Sequence, residues 1–200
     1  MTGSPGRPAG VTIRPSGEVV VDSMSDRAII QQVLAGDVEA FARLVDRHYP
    51  RCARIALRIV GNREDAEEAI QDAFLRAFKA LGDYEDRERF SAWLVRILVN
   101  QCRTVLARSK RRDAVFLDLD FRRIEFAVDA VNDDGQWPEL ERVLEQLPAD
   151  QREAIVLKYA DDLTYEEMSR ITGAGESALK MRVQRAFARL RALLQEVPSV

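Results

Sequence analysis

The chain has 200 residues, 46% of them hydrophobic and 32% charged, with 10 glycines, 7 prolines and a formal net charge of −3. Good helix formers (Ala, Leu, Glu, Arg, Gln) recur and β-branched runs are short, which excludes a disordered, collagenous or disulfide-scaffold chain and predicts an all-α fold of two small helical domains. No stretch approaches the roughly 20 apolar residues that cross a bilayer, and the opening MTGSPGRPAGVTIRPSGE has no apolar signal core, so a cytoplasmic protein without membrane insertion is expected.

Residues 1–24 are rich in Gly, Pro, Ser and Thr, show no periodicity and end at a second methionine, Met24. They read as a disordered N-terminal tail, with Met24 an alternative start. A first helical domain is expected over residues 25–112. A short helix near residues 27–35 precedes a longer one in which Phe41, Leu44, Val45, His48, Cys52, Ile55, Ala56 and Ile59 recur at steps of three and four, with Asp37 as cap and Gly61 as stop. Asn62 caps the next helix, striped by Ala66, Ala69, Ile70, Ala73, Phe74, Ala77 and Leu81 and closed by Gly82. A further helix from Phe90 to Arg112 buries Phe90, Trp93, Leu94, Ile97, Leu98, Val105 and Leu106 by the same spacing.

Cys52 and Cys102 both fall among apolar residues at helical spacing, which marks them as buried small hydrophobes rather than a disulfide or redox pair. With His48 as its one histidine and no Cys/His cluster, the sequence offers no metal site, and no cofactor is expected.

From Asp113 to Glu139 eight carboxylates face only Arg122 and Arg123, without a sustained period. Residues 113–137 therefore read as an acidic linker. Its hydrophobic residues, such as Phe116, Leu117, Phe121, Ile124 and Phe126, suit docking on a surface. A second helical domain follows over residues 138–195. Pro148 and Asp150 open a helix carrying Ile155, Val156 and Leu157; Thr164 and Glu167 form a capping box for the next; Gly173 to Gly175 make a tight turn into a longer basic helix. Helix, glycine turn and basic helix is the helix-turn-helix arrangement.

On a helical wheel Leu179, Val183, Ala186, Phe187, Leu190 and Leu194 gather on one side, and that side packs inward. The opposite side carries Ser177, Met181, Gln184, Arg185 and Ala188, flanked by Lys180, Arg182, Arg189 and Arg191. Such a face suits a major groove: Gln184 and Arg185 can pair with base edges, Met181 can touch a thymine methyl, and the cations can reach phosphates. The plainer reading is a solvated basic face, which leaves the capped helix and glycine turn unexplained. A second basic stretch, with eight cations from Arg87 to Arg112 against Glu88, points to two contacts on one DNA.

At this point the sequence resembles the extracytoplasmic-function (ECF) group of bacterial RNA polymerase sigma factors. Three stretches carry the resemblance: NREDAEEAIQDAFLRAFKAL and RFSAWLVRILVNQCRTVLARSKRR, similar to sigma domain two, and LEQLPADQREAIVLKYADDLTYEEMSRITGAGESALKMRVQRAFARLR, similar to domain four. The resemblance implies a subunit that binds core RNA polymerase and directs promoter recognition and opening without bond chemistry of its own. It places Asp65, Glu68, Gln71 and Asp72 against the clamp helices of the largest polymerase subunit. The wheel puts Asp65, Glu68 and Asp72 on one face, although acids in a first turn also serve a helix N-terminus.

It assigns Tyr84, Arg96 and Asn100 to unpaired bases of the minus-ten element, with Trp93 reading as core. Lys180, Met181, Gln184 and Arg185 are assigned to the minus-thirty-five element. It implies an anti-sigma factor as partner and a linker that lies in the polymerase's RNA path. The sequence departs from the family pattern at Ala178, Met181 and Phe187, where Thr, Ser and Arg are frequent, so promoter preference does not carry over; Phe187 fits the inward stripe. Two other readings fit the residues less well. A stand-alone dimeric helix-turn-helix regulator lacks a ligand or phospho-acceptor signature in the first bundle. A two-metal hydrolase built on Glu64, Asp65, Glu67, Glu68 and Asp72 has its carboxylates on one helix instead of converging from several.

Overall fold

A computed structural model describes residues 11–13, 19–21, 24–85, 89–116 and 138–195. Within the segment read as a structureless tail, β1 (Val11–Ile13) and β2 (Val19–Val21) pair antiparallel, Val11 opposite Val21. Both are short β-branched runs, a strand signal that the Gly and Pro content of the segment masks. The other described residues form helices and their turns.

Ser25 caps α1 (Asp26–Leu34), its hydroxyl accepting from the Ala28 amide. Asp37 caps not a long helix but a 3-10 turn, Val38–Ala40, that feeds α2 (Phe41–Val60). α2 stops at Gly61, whose φ of +90° is the left-handed conformation a glycine cap supplies. Asn62 caps α3 (Arg63–Lys79), and a 3-10 turn at Leu81–Asp83 follows. α4 (Phe90–Phe116) runs past residue 112 into the segment read as linker. The remainder of that segment, with Leu117, Phe121, Ile124 and Phe126, lies outside the described residues.

The second group comprises α5 (Pro138–Glu145), α6 (Ala149–Ile155), α7 (Tyr165–Thr172) and α8 (Glu176–Gln195). A π-helical turn, Val156–Ala160, prolongs α6. Asp162 then takes φ +51°, a left-handed conformation that Asp tolerates better than most side chains. The Thr164 and Glu167 capping box is present in full.

The apolar stripes meet in one continuous core. Ile29, Leu44, Ile55, Ile59, Ile70, Phe74, Leu94 and Leu98 bring α1 to α4 together, each side chain contributing about 1.5–3 kcal/mol by its burial. Leu157, Met168, Ile171, Leu179 and Val183 of the second group belong to the same core. A smaller core joins α5, α6 and α8 through Val143, Leu144, Leu147, Ile155, Ala186 and Leu190.

The two groups therefore pack on each other: α7 lies on α4, while α5, α6 and the π turn lie on α2. α4 also buries Val95 and Val99, beyond the stripe read from its sequence, and Cys102 is buried as its spacing implies. Two bidentate ion pairs cross the seam. Arg51 on α2 grips both oxygens of Asp161 at 2.6 Å, and Arg103 on α4 grips Glu153 at 2.7 and 2.8 Å while also donating to the Thr172 carbonyl. Both carboxylates are nearly sealed from solvent, and each partner arginine has its pKa raised, chiefly by that hydrogen bonding. The Arg152 guanidinium lies over the Gly61 cap beside Glu145. Burial lowers its pKa, which opposes the pull of Glu145.

Candidate nucleic-acid and polymerase interface

The helix-turn-helix is built by local rules. The Thr164 cap and Glu167 fix where α7 begins, and Gly173 at φ +72° ends it. The Ala174 amide then donates to the Thr172 hydroxyl, which itself donates to the Met168 carbonyl. α8 leaves the turn with Leu179, Val183, Ala186 and Leu190 buried. Lys180, Met181, Gln184 and Arg185 consequently stand exposed on the outer side, gathered on one ridge. Lys180 lies 3.9 Å from Glu176 and 5.5 Å from the centre of the Tyr165 ring, so its stem is steered along α7.

Three side chains of α8 depart from the wheel. Arg182, read as a flanking phosphate contact, turns toward α6 and lies 3.5 Å from Asp150. Phe187, read as inward, is 44% exposed and stacks edge-on against Tyr159 at 5.1 Å. Leu194, also read as inward, is half exposed. α8 contributes Leu179 and Val183 to the large core and Ala186 and Leu190 to the smaller one, and Phe187 and Leu194 belong to neither. Arg189 and Arg191 remain exposed.

In the first group, Asn100 is exposed on α4 and Arg96 is half-buried one turn before it. Tyr84, after the second 3-10 turn, is half-buried and packs on Phe90 and Trp93 with ring centres 5.8 and 5.2 Å away. Trp93 is buried, as its spacing implies, and links the Tyr84 ring to the turn of α4 that carries Arg96. Tyr84 is thus held by aromatic packing rather than standing free, and Arg96 follows Trp93 by one turn of α4. Arg87 and Glu88 of the adjoining loop lie outside the described residues.

The acidic surface of α3 is divided. Asp65 is buried, and its carboxylate accepts from the Asn62 side-chain amide at 2.9 Å while its own backbone amide donates to Asn62 at 2.8 Å. The structure makes Asp65 part of the helix cap, so it is removed from the outward-facing set. Glu68 is partly exposed and pairs with Arg108 of α4 at 2.7 Å; Gln71 is exposed and Asp72 half-buried on the same side. Among the described residues no group of His, Cys, Asp or Glu is arranged to hold a metal ion. Cys52 and Cys102 are buried free thiols, both pushed up to about 12 by burial.

Sequence reasoning missed the seam residues Arg51, Arg103, Glu153 and Asp161. Their partners stand 110 and 50 positions away along the chain, beyond the reach of any local pattern. A faint signal existed: Glu153 stands directly before the apolar run AIVL, and Asp161 and Asp162 interrupt the apolar pattern between Ala160 and Leu163.

Comparison with known proteins agrees with this geometry. The chain matches the family Sigma-70 region 2 over residues 44–112 and the family Sigma-70, region 4 over residues 138–190. It is 33% identical to RNA polymerase sigma factor CarQ of Myxococcus xanthus, over 81% of this chain and 93% of that protein. It is 30% identical to ECF RNA polymerase sigma factor SigW of Bacillus subtilis, over 84% and 96%. Among solved structures it resembles the sigma factor RpoE of Bartonella quintana in complex with the anti-sigma factor NepR, with TM-score 0.65, 28% identity and coverage of 80% and 99%. It also resembles CnrH in complex with the cytosolic domain of CnrY, with TM-score 0.63, 27% identity and coverage of 86% and 99%. Two helical modules, the second presenting a basic helix-turn-helix ridge, are thus the region 2 and region 4 of a known architecture, and the chain belongs to the ECF group of RNA polymerase sigma factors.

Proposed function

We propose that the chain acts in the cytoplasm as a non-catalytic subunit that binds core RNA polymerase and promoter DNA. Residues 25–112 form its polymerase and minus-ten module, 113–137 an acidic tether, and 138–195 its minus-thirty-five module. Lys180, Met181, Gln184 and Arg185 read duplex DNA in the major groove; the observation that carries this is their exposure on one ridge of α8 above a buried apolar stripe. Arg96 and Asn100 receive unpaired bases, with Tyr84 supporting the pocket through Trp93. Glu68, Gln71 and Asp72 dock on the clamp helices of the largest polymerase subunit, and Asp65 supports them by capping α3. An anti-sigma factor is a further partner, a reading supported by two solved relatives captured with such proteins.

The test is transcription with reconstituted polymerase. Arg185→Ala is expected to weaken minus-thirty-five recognition by about 1–3 kcal/mol, whereas Arg189→Ala mainly alters salt dependence. Unchanged footprints and transcript levels with Arg185→Ala would show that the reading face lies elsewhere.

A further inference from the structure

The chain's one histidine, His48, lies buried on α2 and meets two other elements. Its Nε2 stands 2.9 Å from a carboxyl oxygen of Asp26, the first residue of α1. Asp26 is held below its ordinary pKa by His48 first and Arg47 after. A carboxylate accepts and cannot donate, so Nε2 of His48 carries the proton and donates it to this bond. The bond fixes both the tautomer and the rotation of the imidazole.

The oriented ring rests against Phe90, with ring centres 5.3 Å apart and planes inclined at 60°. Phe90 is buried and opens α4. The first amides of a helix have no acceptor within it, so side chains decide how the first turn sits. Here the amides of Ala92 and Trp93 share the Arg89 carbonyl. On its other contacts Phe90 meets Tyr84 and Trp93, at 5.8 and 5.6 Å between ring centres. Through this one ring His48 reaches both the tyrosine that precedes α4 and the turn that leads to Arg96 and Asn100. A phenylalanine at position 48 would fill similar space without burying a polar group, a burial that costs free energy unless the group is bonded. It would also rotate about its own axis, whereas an imidazole held by Asp26 does not.

We propose that His48 is a positioning residue of the unpaired-base site: oriented by Asp26, its ring pins Phe90, so that Tyr84 and the first turns of α4 keep the arrangement that receives a base. The inference rests on the reading of Tyr84, Arg96 and Asn100 as that site. It carries the determinants of strand capture back to Asp26 on α1, a helix that supplies no residue to the site itself.

The experiment uses the full chain with core polymerase and a DNA fragment that this holoenzyme transcribes. Melted thymines are scored by permanganate, upstream contact by footprinting, and core affinity by titration. His48→Phe keeps a ring and loses the bond, Asp26→Ala keeps the imidazole and removes its acceptor, and Asp26→Asn keeps an amide that can still bond it. His48→Phe and Asp26→Ala are expected to weaken opening by about threefold to tenfold, the scale of one hydrogen bond, with upstream footprint and core affinity unchanged. Asp26→Asn is expected to retain opening within about twofold although it lowers stability. In a Trp137→Phe background, the emission of Trp93 is expected to shift to the red with His48→Phe and to stay in place with Asp26→Asn. Should His48→Phe lose helicity, Asp26→Ala carries the test, because the Asp26 side chain is 26% exposed at a helix start.

Normal opening by either His48→Phe or Asp26→Ala overturns the proposal, and so does an unmoved Trp93 emission. A loss that appears equally in the upstream footprint and core affinity, or that Asp26→Asn shares, overturns it too, since capture would then merely follow stability. Arg96→Ala/Asn100→Ala in the same assay separates the two levels. If that pair abolishes melting while His48→Phe does not, the site reading stands and the role of His48 falls; if that pair melts the fragment normally, the site reading falls as well.

Discussion

Two glycines with the same backbone demand and different surroundings test how the modules meet. Gly61 has φ +90° and Gly173 has φ +72°, conformations that cost an L side chain roughly 1–2 kcal/mol. Alanine at either position also restricts the unfolded chain, which returns about 0.4–1 kcal/mol, so the backbone alone predicts a net loss near 1 kcal/mol at each. Around Gly173 an added methyl meets nothing within 4 Å, and Gly173→Ala should show that loss only. At Gly61 the methyl lies 3.2 Å from an Arg152 nitrogen and 3.6 Å from Glu145. Both neighbours belong to the second module, and Arg152 already holds a buried Nε without a partner. Moving that side chain should add about 1 kcal/mol, the low end of overpacking costs because a long side chain yields more readily than backbone. Urea unfolding followed by far-UV circular dichroism would then place Gly61→Ala about 2 kcal/mol below the unaltered chain and Gly173→Ala about 1 kcal/mol below. Equal losses at the two positions would refute the packing of α5 and α6 on the end of α2.

Other outcomes follow from individual residues. Asp26 accepts from His48 at 2.9 Å and Arg47 at 2.6 Å, and its carboxyl is held below the ordinary value by the His48 bond first and Arg47 after. Because its folded pKa is depressed, the stability it contributes is present above the unfolded value near 3.9 and is lost as pH falls through the folded one. Asp26→Asn should flatten the stability curve below about pH 4 and cost about 1–2 kcal/mol at pH 7, measured by urea unfolding across pH. Cys52 and Cys102, pushed up to about 12, should stay unreactive toward a thiol reagent at pH 8 and both react once urea is added; rapid labelling in native buffer would contradict their burial. Leu157→Ala removes a fully buried side chain from the shared core and should destabilise by about 2–5 kcal/mol in the same unfolding assay, whereas Phe187→Ala, half exposed on Tyr159, should cost under about 1 kcal/mol.

Much of the fold was legible because its signals are local. The Asn62 cap, the Gly61 and Gly173 stops, the Thr164 capping box and the stripes of α2, α3 and α8 each depend on residues within a turn or two. The exposed ridge of Lys180, Met181, Gln184 and Arg185 follows from the stripe opposite it. What escaped depends on distance along the chain. Val95 and Val99 are buried on a helix that also packs on α7, and no period in α4 announces a partner some 70 residues away. Asp65 has the same residue type and spacing as an outward acid, and what turns it inward is the Asn62 side-chain amide donating to its carboxylate, a choice set by the rotamers at one cap. Phe187 follows the inward spacing and still faces out, since Tyr159 offers it a partner on the surface.

The central claim is that this chain directs core polymerase to particular promoters through two separate reading faces. The most direct measurement is run-off transcription from fragmented host genomic DNA by core RNA polymerase with and without the chain. Discrete transcripts are expected only with the chain present, lost with Arg96→Ala/Asn100→Ala and weakened with Gln184→Ala/Arg185→Ala. Transcript patterns that do not change on adding the chain, at concentrations where it binds core polymerase, would contradict the account.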